Sequence, residues 1–446
     1  MNPGLQIPDY VESVIQPIRQ AGFPVYAVGG CVRDSLLGLQ PHDYDLCTGA
    51  LPDQVAAIFP DHDLVTAGQK HGTTGVVTFQ GIVEVTTFRR EGTYSDGRHP
   101  DSVTFVSGLR EDLARRDFTV NAMAWAPDSG LQDPFGGRED LQNRVLRAVG
   151  DPETRFREDG LRILRGVRFA LRFGLTPEAE TLRAMLSCAP LLDRVSQERI
   201  YAEMNGILPL LTVGSMALYA PILTRVIPEL EPMVGFDQHS PHHAYDLYTH
   251  TAHGVEAVPG NDLCLRWAAL LHDVGKIPTF TRDETGRGHF YGHASAGAEM
   301  ADRILRRLTM PGGLREQTVL LIAQHMTRLT PDRKSVRRAV HRFGRLGVEQ
   351  ILTLQQADMG SKGTGENQGD TTFARIREIL SRLDQEAALP TLRDLAVNGR
   401  DLLALGLTGP AIGQTLDRLL EQVVEESLPN DREALLTAAK VWNSKL

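Results

Sequence analysis

The sequence predicts an α+β multidomain protein, with a mixed α/β head at the N-terminus and helices from there onward. Three observations predict it. At 446 residues the chain exceeds what one hydrophobic core organises, so about two to four domains are expected. Through residue 145, helix-like text alternates with strand candidates at "VYAVGG" (25–30), "DYDLCT" (43–48), "GVVTF" (75–79), "IVEVTTF" (82–88) and "SVTFV" (102–106). From about Asp151 onward apolar residues recur at three and four, as in "LRILRGVRFALRFGL" (161–175), and β-rich runs become scarce. Breaks at "EPMVGFDQHSP" (231–241) and the Gly-rich "GSKGTGENQGD" (360–370) complete a division into 1–145, 146–230, 231–365 and 366–446.

Composition narrows the function classes. With 41% hydrophobic and 23% charged residues the chain reads as globular rather than disordered or fibrous. It has no apolar run of about eighteen residues, and "MNPGLQIPDY" lacks a basic segment followed by an apolar one, so a cytoplasmic protein without a membrane partner is expected. Cys31, Cys47, Cys188 and Cys264 fall at scattered spacings, which suits buried thiols in a reducing compartment. The net charge of -9 argues against a generally basic nucleic-acid binder. Its distribution is uneven: residues 301–350 hold eleven Lys or Arg against four Asp or Glu, and residues 155–172 hold six Arg against two acids. Each cluster reads either as a solvated helix face or as a basic surface.

The stretch "VYAVGGCVRDSLLGLQPHDYDL" (25–46) carries the first candidate chemistry. On a strand, Asp43 and Asp45 share one face. Adjacent carboxylates repel unless a cation lies between them, and magnesium takes such oxygen ligands while bridging to substrate phosphates. Gly29 and Gly30 allow backbone N–H groups to approach a triphosphate, "CVRDSLLG" reads as a helix whose positive end faces the same place, and Arg33 supplies a phosphate contact. Each part also has an ordinary reading, as a turn, a cap or a tight Gly-Gly bend. The dinucleotide and P-loop fingerprints are both missing their required residues.

Taken together, G-G-x-V-R-D-x-L-L-G-x-x-P-x-D-x-D-L resembles the class II, bacterial-type tRNA nucleotidyltransferases, the CCA-adding enzymes, and their relatives the bacterial poly(A) polymerases. The resemblance implies a DNA polymerase beta-like nucleotidyltransferase head, an all-helical neck, an HD domain and a helical tail. It also implies CTP, ATP and tRNA as partners, with two magnesium ions held by Asp43 and Asp45. "ARRDFTVNAMAW" (114–125) is similar to the family's second block, with Arg116 implied as a phosphate contact and Asp117 and Asn121 as shaping the sugar pocket. "DPFGGREDL" (133–141) resembles a hinge-like third block. "EDGLRILRGVRF" (158–169) resembles the fourth, in which Asp159 and Arg162 take the positions that select the incoming base. Arg162, Arg165 and Arg168 recur at three, so on a helix they lie near one side with Asp159. Gly30, Arg33, Arg116, Arg165 and Arg168 are then expected to position the triphosphate. "SQERIYAEMNGIL" (196–208) resembles a fifth block, whose Glu198, Arg199 and Glu203 steady the base-selecting helix. "TTFRREGTYSDGRHPDSV" (86–103), with Gly92, Gly97 and Pro100, resembles the loop associated with adding the terminal A, and favours full CCA or A-only over CC addition. Glu84 is read as a solvated strand position rather than a third metal carboxylate.

A second constellation lies downstream. His250, His272, Asp273 and Asp358 follow the order H, HD, D of HD-domain metal phosphohydrolases, and His293 and His325 fit the added positions of a two-metal site. Mixed nitrogen and oxygen donors suit a divalent transition metal better than magnesium, and such a metal activates water toward a phosphate. A phosphatase or 2′,3′-cyclic phosphodiesterase is the expected activity. The basic 301–350 region, with the helices after 370, is expected to track the tRNA backbone.

Three alternatives stand beside CCA addition: a poly(A) polymerase, a CC-adding enzyme, and an HD phosphohydrolase with a non-catalytic nucleotide-binding head. The acidic balance and short tail argue against the first, and the intact D-x-D against the last.

Overall fold

Short apolar runs separated by glycine turns build the head as a sheet. Its strands are β1 (Val25–Val28), β2 (Asp45–Thr48), β3 (Leu64–Val65), β4 (Thr73–Thr78) and β5 (Gly81–Thr87), with β6 (Arg89–Glu91), β7 (Val103–Phe105), β8 (Ala124–Ala126) and β9 (Gly130–Gln132) following. Seven of them form one sheet in the order β3-β4-β5-β2-β1-β8-β9, and β6 pairs with β7 alone. All neighbours in the large sheet are antiparallel except β2 and β5, whose parallel register sets Asp45 beside Glu84. One apolar layer joins Val28 and Cys47 of the central strands to Phe88, Leu113, Ala122, Ala124 and Val149. The amphipathic Asp9–Gln20 helix buries Val11, Val14, Ile15 and Ile18 and packs on β1.

The computed structural model describes residues 6–92, 102–364, 371–385 and 389–443, so Gly97 and Pro100 lie outside the described residues. The chain divides into two compact units, Met1–Glu231 and Pro232–Leu446. The first unit continues past the sheet into helices Pro152–Glu158, Leu161–Phe173, Ala179–Ser187 and Gln197–Ile207. The second is helical, with its chemistry on Leu247–Ala257, Leu263–Leu271, His293–Arg307, Gly312–Gln324 and the long Arg333–Gly360, which kinks at Gly344. A separate apolar cluster from Leu395 to Ala439 holds the C-terminal helices together. No helix among the described residues is long and apolar enough to cross a membrane.

Several sequence expectations change on contact with the fold. Strand β2 begins at Asp45, so Asp43 precedes the strand instead of sharing it. The helical remainder is interrupted by two strand pairs of two residues each, Val145–Leu146 with Thr176–Pro177 and Thr281–Arg282 with Gly288–His289. Cys31, Cys47 and Cys188 are buried free thiols, while Cys264 is only half-buried.

The expected hinge at 133–141 is tightly bonded. The Asp133 carboxylate accepts from the N–H groups of Gly137 and Arg138 at 2.7 and 2.8 Å, capping the Gly137–Gln142 helix. A Cβ on Gly137 would run into the Thr119 carbonyl. Gly137→Ala is therefore expected to cost about 2–3 kcal/mol, since backbone rather than a pliable side chain must yield. The urea midpoint of the variant checks this.

Candidate functional site

The turn from β1 into the Gly30–Leu36 helix is made by Gly29 in a left-handed conformation, φ 81°, with its N–H donating to the Met123 carbonyl at 3.0 Å. The missing side chain has a second use: a Cβ at Gly29 would stand 2.6 Å from Arg116 Nη1. The Arg116 guanidinium thus lies over the glycine turn, and its Nε is buried without a hydrogen-bond partner. The Gly30–Leu36 helix has only seven residues, so its first-turn N–H groups matter more than a long dipole.

Asp45 is solvent-accessible but recessed. That partial desolvation raises its carboxyl, as do nearby Asp43 and Glu84, against the opposing pull of Arg116. Glu84 is exposed, as expected, yet its place beside Asp45 makes it a third carboxylate at the same spot. Asp43 and Glu84 thus lie near enough to Asp45 to act on its charge, and such carboxylates are the oxygen ligands a divalent cation takes.

Around this site runs a buried ionic network. Asp117 accepts from Asn121 Nδ2 at 3.0 Å and from both Arg165 Nε and Nη2 at 2.8 Å. Burial alone would raise its carboxyl, but Arg165 and Asn121 override it and hold it down at about 2. Asn121 Oδ1 in turn accepts from Arg33 Nη1, and Asp34 accepts from Arg33 Nε at 2.8 Å. Asp117 and Asn121, only 6% and 5% exposed, each hold an arginine, Asp117 taking Arg165 and Asn121 taking Arg33. Arg168 is gripped by Glu203 at 2.7 Å, and Arg199 holds Asp159 at 2.7 Å.

Asp159 and Arg162, expected to select the base, are arranged differently from the helical expectation. Asp159 has extended backbone between the Pro152–Glu158 and Leu161–Phe173 helices, so it shares no helix face with Arg162. Arg162 is bound by Glu158 and donates to the carbonyls of Arg155 and Arg115. The two side chains do not pair with one another, and each is fixed by separate partners.

In the second unit all six predicted ligands converge. One ligand atom each from His250, His272, Asp273 and Asp358 lies within 4.8 Å of the others, and the same holds for Asp273, His293 and His325, with Asp273 shared. His250 Nε2 is 3.0 Å from Asp358 and 3.2 Å from Asp273, and His293 Nε2 is 3.1 Å from His325 Nε2. The outer ring nitrogens are anchored. Nδ1 of His272, His293 and His325 meets the carbonyls of Ala269, Phe290 and Ile322, while His250 Nδ1 meets Ser361 Oγ. With Nδ1 so anchored, each Nε2 faces inward, and those of His293 and His325, 3.1 Å apart, are placed to share a cation. Burial works against a charged His272, yet the carboxylates of Asp273 and Asp358 push it up to about 10. His325 is held down at about 4 by burial and by His272. The donor set fits one or two divalent ions.

Lys276, 2.7 Å from Asp273 Oδ2, and half-buried His243, whose ring centre is 5.3 Å from that of His250, carry no role in the sequence analysis. Lys276 was legible as the residue one helical turn after Asp273; His243 and Ser361 carried no signal. The basic 301–350 surface is also less open than expected, because at least seven of its eleven cations are ion-paired, several of them to Glu425 and Glu426.

The sheet with its glycine turn and paired aspartates defines the nucleotidyltransferase class, and residues 25–147 match the family described as "Poly A polymerase head domain". Residues 290–439 match "tRNA nucleotidyltransferase domain 2", and residues 174–209 match "Probable RNA and SrmB- binding site of polymerase A". A CCA-adding enzyme of Levilactobacillus brevis is 34% identical over 440 residues, covering 95% of this chain and 96% of the relative. One of Geobacillus stearothermophilus is 34% identical over 424 residues, covering 95% and 94%. Among solved structures, the Bacillus stearothermophilus CCA-adding enzyme in complex with CTP aligns with TM-score 0.68 at 30% identity, over 100% of this chain and 99% of that one. The chain belongs to the CCA-adding enzyme family.

The Asp117 carboxyl, held at about 2 in the folded protein against an ordinary value of 3.8, stabilises the fold above the unfolded pKa and loses that contribution as pH falls through the folded one. Asp117→Asn is expected to destabilise the protein by about 2–4 kcal/mol at neutral pH, since Arg165 loses its buried partner. Its stability should also fall less steeply than that of the parent between about pH 5 and pH 2. Urea unfolding across that range reads both effects.

Proposed function

We propose that this chain adds CCA, or its terminal A, to tRNA 3′ ends from CTP and ATP, with Asp43 and Asp45 binding magnesium. The observation that carries the reading is the gathering of Asp43, Asp45 and Glu84 opposite Arg116 and the Gly29 turn, within a chain similar to CCA-adding enzymes along nearly its whole length. Bound magnesium would supply Lewis-acid stabilisation of the attacking 3′-oxygen and of the departing pyrophosphate. Arg116, Arg33, Arg165 and Arg168 orient the triphosphate, the side-chain-free turn at Gly29–Gly30 gives it close approach, and Asp159 and Arg162 read the base edge.

The second unit, on the same proposal, is an HD-type phosphohydrolase. His250, His272, Asp273, Asp358, His293 and His325 hold a divalent transition metal. A cavity of about 430 Å³ lined by His325 and Asp358 also carries Arg328, Lys362 and the apolar Met359 and Phe373, a setting that suits a phosphate ester.

Labelled CTP and ATP, offered with tRNA lacking its last three nucleotides, test the head. Extension by CCA is expected; two added C residues point to CC addition, extension of only CC-ended tRNA to A addition, and long A tails to a poly(A) polymerase. Asp45→Asn should lower incorporation on the order of a hundredfold or more, and Glu84→Gln should weaken the magnesium dependence. His272→Ala should abolish metal-dependent hydrolysis of a 2′,3′-cyclic nucleotide while leaving incorporation intact. Unchanged hydrolysis would remove the HD assignment.

A further inference from the structure

The arginines proposed to hold the triphosphate share more than acidic partners. Three guanidinium carbons surround one ring: Arg33, Arg165 and Arg168 lie 5.2, 5.1 and 4.9 Å from the centroid of Phe169. Arg33 also stands 4.2 Å over Phe173, which Arg172 meets at 5.3 Å. The two rings stack on each other, with centroids 6.1 Å apart and planes at 29°. Both are buried, at 4% and 6% exposure, and both belong to the Leu161–Phe173 helix.

Charge explains why a ring is needed there. Asp34, Asp117 and Glu203 each grip one arginine through its N–H groups and fix that guanidinium from its rim. Asp117 acts on Arg33 as well as on Arg165, and Glu203 on Arg165 as well as on Arg168, while Arg172 repels Arg33. An aromatic face attracts cations through its quadrupole and offers that attraction to several at once. Arg33 approaches from the Gly30–Leu36 helix, whereas Arg165 and Arg168 arise from the same helix as the ring, so Phe169 also fixes the distance between two separate parts of the triphosphate grip.

We infer that Phe169, supported by Phe173, is a positioning residue for nucleotide binding: its π face holds the Arg33, Arg165 and Arg168 guanidiniums in convergent array for a triphosphate. The inference rests on the proposed role of those arginines. Phe169 touches no substrate and acts through them. An apolar side chain of similar volume would fill the same space without the same pull.

Replacement of Phe169 by mono-, di- and trifluorinated phenylalanine keeps the ring's shape while draining its quadrupole, and Phe169→Leu removes the ring. KM for ATP and for CTP, kcat, KM for tRNA and the melting temperature are measured for each full-length variant. The expected result is a graded rise in both nucleotide KM values with fluorine number, between about twofold and tenfold at the end of the series. The tRNA KM and the melting temperature should stay flat across the fluorinated set. Nucleotide KM values unchanged across the fluorinated set overturn the inference, including the case in which only Phe169→Leu has an effect, because the ring then acts by packing alone. A parent chain that incorporates nucleotide while this series stays flat defeats the inference and leaves the transferase reading standing. A parent chain that incorporates nothing defeats the transferase reading, and the inference with it.

Discussion

A single buried carboxylate organises the head. Asp117 carries a charge that burial opposes, and it keeps that charge because Arg165 and Asn121 meet both of its oxygens. Asn121 is thereby oriented to receive Arg33, which ties the helix after the glycine turn to the Leu161–Phe173 helix well over a hundred residues later. Such a pair is a weak source of net stability but a strong constraint on geometry, since removing either partner strands a buried charge. The positions of Arg33 and Arg165 descend from this one carboxylate, while Glu203 holds Arg168. Glu203 and Arg199 extend the same device to the Gln197–Ile207 helix.

The histidine cluster is built by an equivalent rule with other groups. Each imidazole is oriented from behind, by a backbone carbonyl or by Ser361, so that its second nitrogen points inward. The ligands come from five helices, and helix ends supply most of them: His272 and His325 follow the last turns of Leu263–Leu271 and Gly312–Gln324, and His293 opens its own helix. Terminal positions leave backbone carbonyls free to accept from Nδ1, which is why ring orientation here needs few second-row side chains.

Much of this was legible in the sequence, and the limits have physical causes. Motif spacing marked Asp43, Asp45, Arg116 and all six residues of the second cluster, because each lies within a local run whose residue types are unusual together. Strand runs of four or more residues showed their periodicity, but β3, β8 and β9, two or three residues long, are too short to display one. Helical spacing misplaced Asp159, since a break at Asp159–Gly160 is invisible to a count of i and i+3. Local charge totals misjudged residues 301–350, because the acids that pair with Arg333, Lys334, Arg337 and Arg338 lie about ninety residues downstream. The rings around Arg33 were hidden for the same reason: an apolar pair at 169 and 173 is also what any buried helix face shows.

The two units present opposite unmet demands. In the first, the Arg33, Arg165 and Arg168 guanidiniums gather around Phe169 and Arg116 lies over the Gly29 turn, an array that suits a polyanion, while Asp43 and Glu84 lie near Asp45 at the start of β2. In the second, carboxylates and inward lone pairs converge with Lys276 as the sole lysine or arginine ion-paired to the cluster among the described residues, so the missing partner is a cation. On the proposed function a nucleoside triphosphate with magnesium answers the first demand, because it brings the polyanion to the arginines and the cation to Asp43 and Asp45 as one bound unit. On the same proposal a divalent metal answers the second, where ligand atoms of Asp273 and Asp358 already lie together with those of the histidines. On the proposed function the first site is thus completed by its substrate, and the second by its metal.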